Sequence, residues 1–161
     1  SEYAKVDIVE VVEHVAFLVK SDAAAHGVTV VKEFASARAV LQGDEDELKQ
    51  ALLNIARNAV EAMPDGGELR LGVTPTASAG KGTAASVEVS VSDTGVGLPA
   101  EAREEIFSPL YTTKQKGTGI GLALTKRIVE EHGGYIAVED GETCGSRFRV
   151  VLPANDAADV G

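Results

Sequence analysis

Only one cysteine, one methionine and no tryptophan occur among the 161 residues, and aromatic residues amount to 4%. With Cys144 alone, an internal disulfide and a cysteine-based zinc site are both excluded. With so few rings, the core has to be assembled from Ala, Val, Leu and Ile; at 44% hydrophobic, the chain has enough of them to fold. Basic residues are also short: 15 Lys and Arg stand against 25 Asp and Glu, for a net charge of -10. That balance argues against nucleic acid as the main partner, since phosphate backbones call for a basic surface. Any phosphate site must therefore be built locally, from backbone N–H groups and a few cations. No apolar run approaches the roughly 20 residues of a membrane span. The opening "SEYAKVDIVE" is polar and acidic, unlike a signal peptide. The length suits a single domain, expected over 1–161 with its core at about 6–153. Its first residue, Ser1, and its ending, "ANDAADVG", suggest a piece of a longer protein.

Periodicity supplies the elements. "VDIVEVVEHVAFLVKSDAAAHG" has apolar residues at 8, 11, 12, 15, 18 and 19, a helical spacing closed by Gly27. "VTVVKEF" (28–34) reads as a strand. "GDEDELKQALLNIARNAVEAM" reads as a helix capped by Asp44 or Asp46 and ended by Pro64 and Gly66. "ELRLGVTP" (68–75) and "VEVSVSD" (87–93) alternate as strands around a small, polar connection. "AEAREEIF" reads as a short helix, "SPLYTTKQKGTG" as a loop and "IGLALTKRIVEEHGG" as a helix. "YIAVED" and "SRFRVVLP" are the last two strands. This order has neither regular strand–helix alternation nor a repeat. It predicts an α+β fold: a two-layer sandwich with a mixed, mainly antiparallel sheet and its helices on one face.

Three constellations carry chemistry. Asn54 and Asn58 lie four apart on one helix face, beside the apolar stripe rather than in it. Asn is a mediocre helix former, and a neutral amide oxygen suits Mg2+, which prefers oxygen ligands. In "DTGVG", Asp93 ends a strand, where a carboxylate can accept from an exocyclic amine, and Gly95 and Gly97 let the backbone come close to a ring. In "KGTGIGLALTK", Gly117, Gly119 and Gly121 run straight into a helix, whose unobstructed N-terminal N–H groups attract anions. The spacing is neither G-x-G-x-x-G nor a P-loop.

Taken in order, "NIARNAVEAM", "DTGVGLP", "IFSPLYTTK" and "GTGIGLAL" resemble the N, G1, F and G2 boxes of the ATP-binding domain of sensor histidine kinases. The wider group includes DNA gyrase B subunits, MutL and a large heat-shock chaperone. The likeness is closest to the nitrogen-regulation and oxygen-sensing kinases, through "YTTK" and "EEHGGYIAVED". It implies a Bergerat-type fold that binds ATP and Mg2+. By resemblance, Asn58 holds the metal, Asn54 lines the γ-phosphate and Asp93 reads the adenine amine between Gly95 and Gly97. Gly117, Thr118, Gly119, Gly121 and Leu122 bind phosphates; Thr112, Thr113 and Lys114 form a lid, with Lys114 as a phosphate contact. Ser146 supports Asp93 through water. Leu110 stands where the family more often has an aromatic residue.

The implied reaction passes the γ-phosphate to a histidine on a separate dimerisation domain, with a response regulator downstream and a cytoplasmic setting, even if the parent is membrane-anchored. No acceptor is recognisable here: His14, His26 and His132 read as surface or capping residues. The rivals are an ATP-hydrolysing relative, a serine kinase that binds a sigma factor, and an inactive nucleotide-binding module.

Overall fold

The structure, a computed structural model, describes residues 2–76, 85–109 and 119–154, with the backbone alone at 119–121. Strand β1 (Ala4–Asp7) leads into helix α1 (Ile8–Ala25). Asp7 makes that junction: its Oδ1 accepts from the N–H of Val9 at 3.0 Å, as a helix cap, and from the N–H of Ala39 at 3.0 Å. Next come β2 (Val28–Phe34), β3 (Val40–Gly43), α2 (Glu45–Glu61), β4 (Gly67–Thr76) and β5 (Ser86–Asp93). Single 3-10 turns at Ala100–Ala102 and Glu105–Phe107 precede α3 (Gly119–Glu131), β6 (Tyr135–Asp140) and β7 (Ser146–Pro153).

The main sheet has the order β2-β4-β5-β7-β6. Only β2 and β4 run parallel; the other neighbours are antiparallel. In β5, side chains alternate strictly between half-buried and buried, with Val87, Val89, Val91 and Asp93 all facing inward. Leu69, Leu71 and Val73 of β4 and Phe148, Val150 and Leu152 of β7 join them. Helices α1, α2 and α3 cover this face with Val12, Val15, Val19, Leu48, Leu52, Ile55, Ile128 and Val129. The opposite face carries an ion-pair lattice: Arg70 bonds Glu33 at 3.0 Å, and Glu88 receives Arg149 at 2.8 Å and Arg147 at 3.3 Å. Burial of aliphatic side chains between one sheet face and three helices thus makes the sandwich that the pattern predicts.

Two features differ from the sequence reading. Strands β1 and β3 form a separate two-stranded sheet with the register Ala4↔Gly43. Each is four residues long, too short for a period-two signal, and its partner is far along the chain. The expected helix "AEAREEIF" is two 3-10 turns instead. Pro99 and Glu104, which precede the two turns, make no side-chain cap bond, and the segment is too short to sustain an α-helix on propensity.

Candidate functional site

Asp93 stands at the end of β5, the middle strand of the sheet, and is 4% exposed. Its Oδ1 accepts from the N–H of Gly95 at 2.9 Å and of Ser146 at 3.3 Å. Burial raises its carboxyl pKa above the usual range, and these two N–H groups pull the other way without cancelling the rise. Bonds to Oδ1 alone fix the plane of the carboxylate and leave Oδ2 as an acceptor for a ligand.

Close backbone approach holds this carboxylate. A Cβ on Gly145 would lie 2.0 Å from the carbonyl oxygen of Asp93 and 2.7 Å from its Oδ1, and φ there is +76°. A Cβ on Gly95 would lie 2.4 Å from the carbonyl oxygen of Ala62, the residue that closes α2. Gly97 has φ +80° and faces the Gly145 carbonyl. Thr94 adds a second link. Its hydroxyl accepts from the N–H of Glu68 at 3.0 Å, and its N–H donates to Met63 Sδ at 3.4 Å. The end of α2, the turn after β5 and the β6–β7 turn therefore meet at Asp93.

Asn54 and Asn58 are both half-buried, beside the buried stripe Leu48–Leu52–Ile55–Ala59. Helix α3 runs antiparallel to α2. Asp44 N–H donates to His132 Nε2 at 3.0 Å, and Thr125 Oγ1 donates to the carbonyl of Ala51 at 3.5 Å. Seven residues forward on α2 thus answer to seven back on α3. The same direction along α2 leads to Asn58, toward the N-terminal end of α3. Asn58 Nδ2 is buried and has no partner among the described residues. An unpartnered amide NH2 is a donor that a phosphate oxygen can satisfy, and the oxygen of the same neutral amide belongs to the oxygen donor set of Mg2+. The residues present therefore fit a metal-bridged phosphate.

The structure brings together Asp93, Gly95, Gly97 and Ser146, and it puts Asn54 and Asn58 in the second half of α2, which packs against α3. Leu122, in the first turn of α3, is buried. Thr112, Thr113, Lys114, Gly117 and Thr118 lie outside the described residues. The contact from Ser146 to Asp93 is made by its backbone N–H. Gly145 and Met63 were not singled out from the sequence as site residues, although the turn glycine before Ser146 was a signal for the first. His132 does act as a cap, but it is buried rather than on the surface.

A buried acceptor at the end of the central strand and a helix pair offering amide groups beside it define a class of nucleotide site. The chain belongs to the family described as histidine kinase-, DNA gyrase B-, and HSP90-like ATPase, whose model matches residues 43–156. Within it, the chain is 40% identical over 154 residues to sensor histidine kinase ZraS of Klebsiella oxytoca and 38% identical over 145 residues to sporulation kinase C of Bacillus subtilis. These alignments take in 96% and 89% of this chain and 32% of each kinase, so the chain spans about a third of the length of these relatives. Among solved structures, the catalytic domain of histidine kinase ThkA superposes with a TM-score of 0.86 at 29% identity, covering 96% of this chain and 97% of that one. Full-length ShkA in complex with AMPPNP gives 0.82 at 32% identity, covering 98% of this chain and 32% of that one. ThkA in complex with the response regulator protein TrrA gives 0.80 at 26% identity, covering 95% and 42%.

Proposed function

We propose that this chain is the ATP-binding catalytic domain of a sensor histidine kinase, one unit with its core over about 6–153. It binds ATP with Mg2+ and presents the γ-phosphate to a histidine on the parent's dimerisation domain. A response regulator then receives the phosphoryl group. The similarity to ThkA, solved with its response regulator, and to ShkA, solved with an ATP analogue, supports this reading. The single observation that carries it is the free Oδ2 of buried Asp93, fixed by two N–H groups through Oδ1 alone.

In this reading Oδ2 accepts the adenine amine, and the glycine backbone walls the ring. Asn58 holds the metal, Asn54 lines the γ-phosphate, and the N-terminal N–H groups of α3 receive the phosphate oxygens. The resemblance assigns the lid and further phosphate contacts to Thr112, Thr113, Lys114, Gly117 and Thr118, which lie outside the described residues. Bound Mg2+ supplies charge neutralisation on the phosphates. The neutral imidazole of the acceptor attacks phosphorus; the P–N bond forms as the bridge to the β-phosphate breaks, and ADP departs. No side chain has to activate water, in keeping with the neutral Asn54. A cytoplasmic setting, where ATP is at hand, belongs to this reading. Among the described residues no helix is long and apolar enough to cross a membrane.

The test is calorimetric titration with a non-hydrolysable ATP analogue, with and without Mg2+, followed by labelled ATP and an added dimerisation domain carrying the acceptor. Mg2+-enhanced binding and acid-labile label on the acceptor are expected. Rapid hydrolysis without an acceptor would move the chain to the hydrolysing branch. Unchanged affinity in Asp93→Ala would remove the adenine assignment.

A further inference from the structure

His132 is a buried titratable side chain that the proposed reaction does not use. It follows the last residue of α3 and is 7% exposed. Both ring nitrogens are committed. Nδ1 lies 2.8 Å from the carbonyl of Ile128, and Nε2 lies 3.0 Å from the N–H of Asp44. A carbonyl can only accept and an N–H can only donate, so the ring is the neutral tautomer with its proton on Nδ1. Asp44 is the cap of α2: its Oδ1 accepts from Glu47 N–H at 3.1 Å, and its Oδ2 accepts from Glu2 N–H at 2.9 Å. Tyr3 stacks on the imidazole, 4.8 Å between centroids and 18° between planes, and its hydroxyl donates to the Glu131 carbonyl at 3.2 Å. There is no slack: a Cβ on Gly43 would meet His132 Cδ2 at 2.9 Å.

One ring thus joins the first residue of the α2 cap to the last turn of α3, with the N-terminal segment laid across it. These two helices carry the phosphate end of the proposed site. Asn58 and Gly119 lie at their opposite ends, about 20 Å away at ~1.5 Å per residue. Over such a lever, a tilt of a few degrees at the joint becomes a displacement of about 1 Å at the phosphates, enough to degrade metal and amide geometry. The adenine end rests on β5 and the β6–β7 turn and touches the end of α2 through Gly95 and Thr94, but it has no part of α3, so a shift of α3 relative to α2 does not enter it.

We infer that His132 is a positioning residue for phosphate binding: it pins α2 to α3 and lets the Glu2–Tyr3 segment bear on the gap between Asn58 and Gly119. This inference rests on the phosphate end lying between those helices. It separates from a purely structural role because only one half of the ligand should respond.

The full chain and its variants are titrated with adenosine, by chemical-shift changes, and with Mg2+ plus a non-hydrolysable ATP analogue, by calorimetry. Titrations are run well below each variant's unfolding temperature. His132→Ala is expected to weaken the Mg2+–nucleotide complex about tenfold, the scale of one lost buried hydrogen bond, with adenosine affinity unchanged. His132→Gln, whose amide oxygen can accept from Asp44, is expected to recover to within about threefold. Tyr3→Ala, at a half-exposed position that does not threaten folding, should weaken the Mg2+ complex about threefold and spare adenosine. If variants lose stability while both affinities stay put, or lose both affinities in parallel, His132 is only a structural residue and the inference falls. If the unaltered chain binds adenosine but gains nothing from phosphates and Mg2+, it is the placement of the phosphates that fails.

Discussion

The two ends of the candidate site are built on different principles. At the adenine end, backbone presses on backbone: Gly145, Gly95 and Gly97 bring the turns to within contact of Asp93 and Ala62, and the acceptor is bonded through one oxygen before any ligand arrives. At the proposed phosphate end, a helix face holds a buried amide nitrogen with no partner among the described residues, on the helix that packs against α3. One end is finished in the free protein and the other is completed by what binds. Rigid preorganisation suits a ring that must be recognised by a single amine. An unfinished end suits a triphosphate and its metal, which bring their own charges and ligands.

The largest effect tests the finished end. In Gly145→Ala the new methyl would sit 2.0 Å from the Asp93 carbonyl oxygen at φ +76°. It should cost about 3 kcal/mol or more in urea unfolding and abolish nucleotide binding in whatever remains folded. Gly133→Ala sharpens the point. It has a similar φ of +81°, but its nearest neighbour is Pro153 Cγ at 3.4 Å, so only backbone strain, about 1 kcal/mol, is expected. Equal costs at the two positions would mean that close approach does not hold the adenine end together.

Asp93→Asn comes next and separates recognition from stability. The amide oxygen can keep the bonds from Gly95 and Ser146, but an NH2 then replaces Oδ2 and meets the adenine amine donor to donor. Nucleotide affinity should fall about a hundredfold, as for a lost hydrogen bond to a charged group. Stability at neutral pH should hold or rise. The carboxyl pKa is raised by burial in the folded state, so the anion costs stability: the cost is absent below the ordinary carboxyl range and is complete above the raised value. Acidification through that raised range should therefore stabilise the free protein while it weakens nucleotide binding. Asp93→Asn should show neither trend. Opposite slopes for stability and affinity against pH, lost together in the variant, are the signature to measure.

The sequence was informative where chemistry and periodicity coincide. Asn54 and Asn58 beside an apolar stripe, Asp93 closing an alternating strand and glycines opening a helix are all local patterns, and the layer architecture follows from the order of helices and strands. What stayed hidden is what depends on distant partners. Val6 and Leu41 face one another in a four-residue pairing that no local period announces. His132 in "EEHGG" looks like an exposed helix end; only the arrival of Asp44 and Tyr3 buries it. Gly145 is an ordinary turn glycine until Asp93 is found against it.

Asn58→Ala probes the unfinished end. Removing a buried amide with an unbonded nitrogen should cost the free protein nothing and gain a little helix propensity, about 0.5 kcal/mol. The price should appear in the ligand: the increment in affinity that Mg2+ gives to a bound ATP analogue should shrink about tenfold, with the metal-free affinity nearly unchanged. A variant that loses stability instead would place Asn58 among the finished parts and erase the contrast between the two ends.

The smallest expected effect lies behind the site. On the helix-free face, a groove of about 360 Å³ reaches Asp93 from the other side, lined by Glu33, Arg70, Ser92, Glu139 and Arg147 among others. Its arginines are already paired across the strands, Arg70 with Glu33 and Arg147 with Glu88. The charged part of its lining is also mainly acidic, six carboxylates against two arginines, which repels phosphate. Arg70→Gln should change stability by less than about 0.5 kcal/mol, as half-exposed ion pairs do, and leave Mg2+–nucleotide affinity within about twofold. A tenfold loss of affinity in Arg70→Gln would mean that the triphosphate enters from the helix-free face, where Asn58 and the first turn of α3 could not reach it.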